Sequence, residues 1–437
     1  TSIGSGSMRN NTTASNNTAI GYEALRYNTT GHSNVAIGTS ALLTSTTRLG
    51  NTAVGFNAAK VTDTTGVVAV GYKALEANTT GYDTVAVGAS ALLVNTTGHS
   101  NTGIGFSALA ANTTASENTA VGNSCLDANT TGAANTASGY LALTANTTGS
   151  SNAAFGKDSL STNTTGGANV AVGKDALKAN TTASNNVAVG FDALTANTTG
   201  AESTAVGTGA LESNTTGQNT AVGFYAGQAN TTGTDNTALG RYALAENTTG
   251  LKNIAIGVLA LQTATMSNCI AIGYQAQRYA GGDDNVSMGY YALRTATGDS
   301  NTAIGGSAGS ACTTGVKNTA MGNTAGTGTT GEGNCTMGWY GGSSLSTGSN
   351  NVILGRQSQA SAATGNNQIV LGYLVSGSGN DNFTFGNQGT DSNIAFGATS
   401  ITAPSDIRLK EDIQDEEVGL DFINDLRPVT FLWKKEK

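Results

Sequence analysis

Charged residues, aromatic residues and proline are all scarce in this chain of 437 residues. Only 11% of the residues are charged and 6% are aromatic, and Pro occurs 2 times against 60 for Gly. The net charge of −8 is spread thinly, so the sequence lacks the basic patch that nucleic acid binding requires and the polybasic segment typical of membrane surfaces. Disordered chains usually carry more charge and proline, and they lack the regular apolar positions found here.

Long apolar runs and a secretion signal are also absent from the sequence. No stretch approaches the roughly 18 apolar residues of a membrane span, so we expect no membrane insertion. Thr1 already lies in phase with the repeat described below, and we therefore expect that an N-terminal attachment segment is missing from this sequence. The 4 cysteines occupy unrelated repeat positions, which favours isolated thiols over disulfides or a metal site. The sequence predicts no metal and no cofactor.

A glycine closes the motif small–Ile/Val–Gly every 16 or 17 residues from Gly4 to Gly372. The 22 intervals comprise sixteen of 17 residues and six of 16. A fixed short period of this kind is typical of a solenoid, in which each repeat buries its apolar face against the next. The sequence therefore predicts an all-β parallel solenoid or β-roll of about 22 coils over residues 1–372. The period collapses after Gly372, which indicates a tapering end at residues 373–404.

One repeat, residues 169–185, shows which residues make up a coil. Two apolar points recur in it, Val172 before the glycine and Leu177 four residues after it, while the third side is a polar Asn-Thr-Thr loop. A coil this thin is expected to bury its remaining apolar edge against other chains, and a homotrimer with cyclic symmetry is the preferred arrangement. At ~4.8 Å per coil, the rod is roughly 105 Å long.

The Asn-Thr-Thr loops form a column of formal N-glycosylation acceptors. Their asparagines are Asn28, Asn78, Asn95, Asn112, Asn129, Asn146, Asn163, Asn180, Asn197, Asn214, Asn230 and Asn247. Stacked coils place neighbouring asparagines only ~4.8 Å apart, which is narrower than a sugar chain. The spacing therefore favours a ladder of side-chain amides along the rod over a column of glycans.

Aromatic residues concentrate directly after the repeat glycine. They are Tyr22, Phe56, Tyr72, Phe106, Tyr140, Phe191, Phe224, Tyr274, Tyr290 and Trp339. Such a column either binds sugars by stacking on pyranose rings, or stabilises the rod by ring–ring packing and by sealing a seam between chains. Threonine columns also suggest ice binding, but the column before the Ala-Ile-Gly motif mixes Thr18 with Val35 and Ile254, which argues against it.

Composition changes sharply after Pro404. Residues 405–437 hold 15 of the chain's 48 charged residues, and Val418, Phe422 and Leu426 have the spacing of one amphipathic helix that ends before Pro428. The segments 405–413 (SDIRLKEDI) and 426–434 (LRPVTFLWK) resemble the opening of the intramolecular chaperone at the C-terminus of phage endosialidases, tail fibres and tailspikes.

This resemblance implies both assembly and self-cleavage. In the family the chaperone trimerises the fibre and then cuts itself off just before a serine, by means of a serine and lysine pair. The corresponding residues here are Ser405 and Lys410, so the implied cut lies between Pro404 and Ser405. A lysine of lowered pKa can accept the serine proton and activate the hydroxyl as a nucleophile. The family domain is much longer, so residues 405–437 correspond to its start.

The shaft carries a second resemblance. The segments 34–38 (NVAIG) and 169–173 (NVAVG) resemble the head repeats of trimeric autotransporter adhesins, which form left-handed parallel β-rolls in three-chain bundles. Together the two resemblances imply an extracellular homotrimeric virus tail fibre that binds a host-cell receptor, such as a glycan. The alternatives are a bacterial trimeric surface adhesin and an ice- or glycan-binding solenoid. Acidic residues at a repeated position, Asp158, Asp175 and Asp192, form a solvated stripe rather than a catalytic pair, so we expect no enzyme activity in the shaft.

Overall fold

The computed structural model describes residues 1–263 and 265–398, and it shows a single sheet of 25 strands. The strands are β1 (Ser2–Ile3), β2 (Thr18–Ile20), β3 (Val35–Ile37), β4 (Thr52–Val54), β5 (Val68–Val70), β6 (Val85–Val87), β7 (Thr102–Ile104), β8 (Thr119–Val121), β9 (Thr136–Ser138), β10 (Ala153–Phe155), β11 (Val170–Val172), β12 (Val187–Val189), β13 (Thr204–Val206), β14 (Thr220–Val222), β15 (Thr237–Leu239), β16 (Ile254–Ile256), β17 (Ile270–Ile272), β18 (Val286–Met288), β19 (Thr302–Ile304), β20 (Thr319–Met321), β21 (Cys335–Met337), β22 (Val352–Leu354), β23 (Gln368–Tyr373), β24 (Asn382–Asn387) and β25 (Ser392–Ala395). The prediction of an all-β parallel solenoid is confirmed, and the described ranges contain no helix.

Each strand from β1 to β23 pairs in parallel with the strand that follows it, and in β1–β22 the paired residues hold the same position of the repeat. Ala154 lies opposite Ala171, and Ala171 lies opposite Ala188. The 16-residue coils keep this register because the residue that they lack is missing from the loop that precedes the strand and not from the strand itself. Ser203 follows Asn197 by six positions in a 17-residue coil, whereas Asn219 follows Asn214 by five positions in a 16-residue coil.

The core is narrow and is built mainly from alanine and leucine. In the coil of residues 169–185, the middle strand residue Ala171 and the pair Ala176 and Leu177 are all 0% exposed. Val172, one of the two expected apolar points, lies instead on the outside and is 37% exposed. Side chains alternate between the two faces of a strand, so in a strand of three residues only the middle one points inward. The coil is thin at that point and has room for an alanine.

The turn after the strand depends on backbone conformations that most residues avoid. Gly173 has a φ of 135°, and Asp175 and Leu177 follow in the left-handed region with φ of 59° and 51°. A left-handed leucine is uncommon, but its side chain is fully buried and its N–H donates to the carbonyl of Ala193 in the next coil at 3.0 Å. Burial and inter-coil hydrogen bonding therefore stabilise a strained turn in the coils that have leucine at this position, whereas Gly227 and Gly309 adopt the same conformation without strain.

The last strands differ from the rest of the solenoid. β23 and β24 lengthen to 6 residues each and remain parallel, while β25 pairs with β24 in the antiparallel direction. An antiparallel strand occupies hydrogen-bonding groups that a further parallel coil would otherwise use. The amphipathic helix predicted near Val418 lies outside the described residues.

Candidate binding surface

The first and third residues of strands β2–β22 face outward and form a continuous surface along the rod, which we call the outer sheet face. Its third-residue column is Ile20, Ile37, Val54, Val70, Val87, Ile104, Val121, Ser138, Phe155, Val172, Val189, Val206, Val222, Leu239, Ile256, Ile272, Met288, Ile304, Met321, Met337 and Leu354. Every residue in that column is apolar except Ser138. Ile104 is 40% exposed and Leu239 is 45% exposed, so the face is well accessible.

Charge is excluded from the outer sheet face. Within strands β2–β22, neither the first nor the third position holds Asp, Glu, Lys or Arg. The first position is threonine in ten of these strands, as at Thr204, and is aliphatic in the others, as at Val187, except for Cys335. Most soluble monomers restrict contiguous apolar patches to a few hundred Å², so an uncharged apolar strip along the whole rod indicates an interaction surface.

The predicted aromatic column lies next to this face. Each of its residues directly follows the repeat glycine, which itself follows the last residue of the strand. Its members are exposed, from 42% for Tyr274 to 56% for Phe106. The remaining predicted members are Tyr22, Phe56, Tyr72, Tyr140, Phe191, Phe224, Tyr290 and Trp339, which are 43–54% exposed. Two pairs from adjacent coils stack face to face with ring centroids 5.5 Å apart, Phe56 with Tyr72 and Tyr274 with Tyr290. The structure therefore brings these residues together in pairs and groups rather than in one uninterrupted stack.

Lysine and arginine fill several of the gaps between the rings. The Nζ of Lys157 lies 5.8 Å from the ring centroid of Tyr140, and the Nζ of Lys174 lies 4.9 Å from that of Phe191. These four residues occupy consecutive coils, and we call them the Tyr140–Phe191 group. Cations over aromatic rings at these distances attract the ring electrons. The group presents two exposed rings and two exposed ammonium groups in one row.

Carboxylates flank the Tyr140–Phe191 group on the next column. Asp175 bonds to Lys174 at 2.8 Å and to Lys178 at 3.0 Å. Partial burial favours the protonated form of Asp175, but the two lysines outweigh it and its pKa is lowered. Burial, followed by the charge of Asp175, raises the pKa of Asp192. The surface thus combines flat rings, hydrogen-bond donors and hydrogen-bond acceptors, which is the chemistry that polyhydroxylated ligands require.

The asparagines of the Asn-Thr-Thr loops form the predicted amide ladder, and the ladder lies inside the coil. From Asn78 to Asn247 these residues are at most 1% exposed. The Nδ2 of Asn163 donates to the Oδ1 of Asn146 at 2.9 Å, and also to the carbonyl of Gly166 at 2.9 Å. A fully buried amide with its hydrogen bonds satisfied offers no site for a glycan. The glycosylation hypothesis is therefore excluded for the folded coils.

A second asparagine column, at the residue before most of the strands, was not predicted from the sequence. The Oδ1 of Asn101 accepts the backbone N–H of Asn118 at 3.0 Å, and the Nδ2 of Asn118 donates to the carbonyl of Gly132 at 3.0 Å. Each such side chain therefore connects two successive coils. The signal was the recurrence of asparagine directly before the strand, as in the segments 34–38 and 169–173.

The threonines of the same loops are divided between internal and external roles. The hydroxyl of Thr147 donates to the carbonyl of Thr164 at 3.0 Å, whereas Thr148 is exposed. The loop therefore presents one exposed threonine column rather than a flat array of hydroxyls. This arrangement gives no support to ice binding.

The cysteines are all free in the structure, as predicted. Cys125, Cys269 and Cys312 are buried, and burial raises the pKa of each thiol, to about 11 for Cys125 and for Cys312. Cys335 is the first residue of β21 and is only half-buried, so it lies on the outer sheet face. No group of three or more His, Cys, Asp or Glu side chains arranged to hold a metal ion occurs in the described part of the chain.

Comparisons with known proteins find one relationship. Residues 405–437 match the family described as chaperone of endosialidase. No curated protein matches the chain, and no solved structure does. The predicted catalytic residues Ser405 and Lys410 fall within the matched segment and lie outside the residues that the structure describes. Across residues 1–263 and 265–398, no helix is long and apolar enough to cross a membrane.

Proposed function

We propose that this chain forms the shaft of a homotrimeric virus tail fibre, which holds and presents a receptor-binding surface to the host cell. The proposal starts from the combination of a long β-solenoid with an endosialidase-type chaperone segment, which fits a tail-fibre or tailspike protein. The observation that carries it is their order, because the chaperone segment begins at residue 405, soon after the last strand Ser392–Ala395. In that order the chaperone acts on the end of the shaft.

Trimer assembly is supported by two independent features. The endosialidase chaperone family implies homotrimers, and the outer sheet face leaves an uncharged apolar strip that a lone rod exposes to water. Burying apolar surface stabilises an assembly by roughly 25 cal/mol per Å². Three parallel copies also present each surface feature three times, which raises avidity for a repetitive receptor through effective concentration.

Host contact is assigned to the aromatic column, with the Tyr140–Phe191 group as its best candidate. The support is the exposure of the rings together with the ammonium groups and carboxylates beside them. A cell-surface glycan is the ligand class that uses ring stacking and a mixed set of hydrogen bonds. The bacterial adhesin alternative rests on the repeat alone, whereas the match of residues 405–437 favours the fibre.

Light scattering on the native protein tests the assembly. We expect a mass three times that of one chain, which is 43.5 kDa before any cleavage ahead of Ser405. Binding to host cells or to immobilised cell-surface glycans tests the contact surface, with Phe191→Ser and Tyr140→Ser compared against Thr148→Ser on an exposed loop. Loss of binding in the first two variants alone supports the assignment. A monomer contradicts the fibre, and equal binding by all three variants contradicts the aromatic column.

A further inference from the structure

We propose that the outer sheet face is the surface on which copies of this chain contact one another, with the chains parallel and in register along the rod. The inference rests on the proposed trimeric fibre and names the surface that assembles it. The aromatic column and the Asn-Thr-Thr loops then remain on the outside of the assembly.

The size of the face is adequate for a stable interface. A strand of three residues is ~10 Å wide at ~3.3 Å per residue, and the stacked coils extend roughly 105 Å. Their product is about 1,000 Å² per chain, so a trimer that covers the face on all three chains removes about 3,000 Å² from water, against the ~1,600 Å² of total surface buried in a standard stable interface between two proteins. A typical monomer exposes its largest apolar patch over about 300–600 Å². The apolar third-residue column alone, which is about half of the face, therefore reaches the upper part of that range.

A second copy of this chain is the partner that matches the whole face. The apolar side chains recur at the strand spacing of ~4.8 Å, and only another solenoid of the same rise and twist stays in contact over such a length. Peptide partners that add a strand require a free sheet edge, but the strands of this face are already hydrogen-bonded to both neighbours. A charged partner is also unsuited, because the face contains no charged side chain in β2–β22.

The parallel direction follows from the position of the chaperone segment. A single segment at residues 405–437 that assembles the chains requires their C-terminal ends to lie together. In-register packing then places like coils at the same height. Ser138 then faces Ser138 of the other copies, and Phe155 faces Phe155. The two coils that depart from the aliphatic pattern therefore pack against identical coils and not against coils with valine or isoleucine.

The chain contains its own probe for this contact. Cys335 lies on the outer sheet face between Thr319 and Val352 of the neighbouring strands, and it is the one cysteine of the 4 that is not buried. Treating the native protein with a short bis-maleimide near neutral pH should join Cys335 of two copies. The expected product is a covalent dimer on a denaturing gel, since one reagent links two thiols.

Two variants control the experiment. Cys335→Ser should give no covalent product. Cys335→Ser combined with Thr347→Cys moves the thiol to an exposed loop of the same coil, and it should also give none. Cross-linking at Thr347→Cys but not at Cys335, in a protein whose mass is that of a trimer, overturns the assigned face and leaves the fibre intact. A monomeric mass overturns the proposed function as well, so the two failures are distinguishable.

Charge substitution provides a second test with the thiols unchanged. The triple variant Val172→Asp, Val189→Asp and Val206→Asp places carboxylates on the face in three successive coils. Its matched control, Thr165→Asp, Thr182→Asp and Thr199→Asp, places the same charges on the exposed loops of neighbouring coils. We expect the first to lose its trimer mass while the circular dichroism of the strands is retained, and the second to remain trimeric. A trimer that survives equally in both variants contradicts the inference.

Discussion

The side-chain amide of Asn146 donates to the Oδ1 of Asn129 at 2.8 Å, and both residues are 0% exposed. This contact repeats along the coils from Asn78 to Asn197 and again from Asn214 to Asn247, and it replaces apolar packing on one side of a very thin core. Buried amides cost free energy unless they are paired, and the amides from Asn95 to Asn180 each serve as donor and acceptor at once. The solenoid therefore reaches a stable interior with unusually few large apolar residues.

Removing one rung of this ladder should weaken the coils around it. In Asn146→Ala, the amide loses its bonds to Asn129 and Gly149, and Asn163 loses its acceptor. At about 1 kcal/mol for each buried hydrogen bond, local stability falls by about 3 kcal/mol. Amide hydrogen exchange in these coils should then be about 100-fold faster. Thr148→Ala, on the exposed part of the same loop, should leave exchange unchanged, and equal effects of the two variants would refute the structural role of the ladder.

The repeat glycine should tolerate no side chain. A Cβ at Gly156 would lie 2.6 Å from the carbonyl oxygen of Gly173, and its φ of 133° is a strained conformation for any other residue. Gly156→Ala should therefore cost at least about 2 kcal/mol and lower the apparent melting temperature. Gly281→Ala is the matched control, because a Cβ there lies 3.7 Å from its nearest neighbour in Thr297. A melting temperature that changes equally in both would show that backbone geometry at the repeat glycine is unimportant.

Much of the fold could be predicted because the glycine column fixes the register. The spacing from Gly4 to Gly372 gave the coil number and the parallel stacking, since every strand meets the same corner. The sequence did not reveal which side of the strand faces inward. A Val-Ala-Val segment such as residues 170–172 suggests that the larger side chains are buried, but only Ala171 is buried, in the same core cluster as Leu177, and Val172 faces outward.

The candidate surface was predictable in part. The aromatic column was evident from its position after the glycine, whereas the lysine of one coil lying over the ring of another required the structure, as for Lys174 and Phe191. The outer sheet face was missed because Val172 was counted toward the coil's own apolar sides. A charge-free column of residues is compatible with either a core or an interface, and only exposure distinguishes the two.

Thiol reactivity should separate the four cysteines. Near neutral pH, a maleimide should react with Cys335 before any other cysteine, more readily once the copies are separated than in the assembled protein, because the reactive thiolate is disfavoured where burial raises the pKa, to about 11 at Cys125 and Cys312. Peptide mapping after labelling measures the sites, and labelling in denaturant should reach all 4 cysteines. Prompt labelling of Cys125 in the native protein would contradict the packing of that coil.

Alkaline pH should destabilise the coil that contains Cys125. Burial raises the pKa of this thiol from 9.0 to about 11 in the native state. The unfolded thiol therefore ionises first, and the contribution of the protonated thiol is complete below pH 9.0 and lost as the pH rises to about 11. The loss approaches 2 kcal/mol in order of magnitude. Hydrogen exchange in that coil, measured between pH 8 and pH 10.5 and corrected for the intrinsic rate, reports this loss of stability. The rate should change less with pH in Cys125→Ala, which has the same residue as the equivalent position of the preceding coil, Ala108.

Self-cleavage is the remaining prediction, and it follows from the family of residues 405–437. If Ser405 is the nucleophile and Lys410 its base, the chain should separate between Pro404 and Ser405 after assembly. Mass spectrometry of the purified protein should then detect a shaft that ends at Pro404. Ser405→Ala should keep the chain whole because no nucleophile remains, and Lys410→Arg should do so because an arginine cannot accept the serine proton. Cleavage that persists in Ser405→Ala would assign the cut to another protease. If both variants assemble into fibres whose chains stay uncut, the reaction depends on these two residues and assembly does not require it.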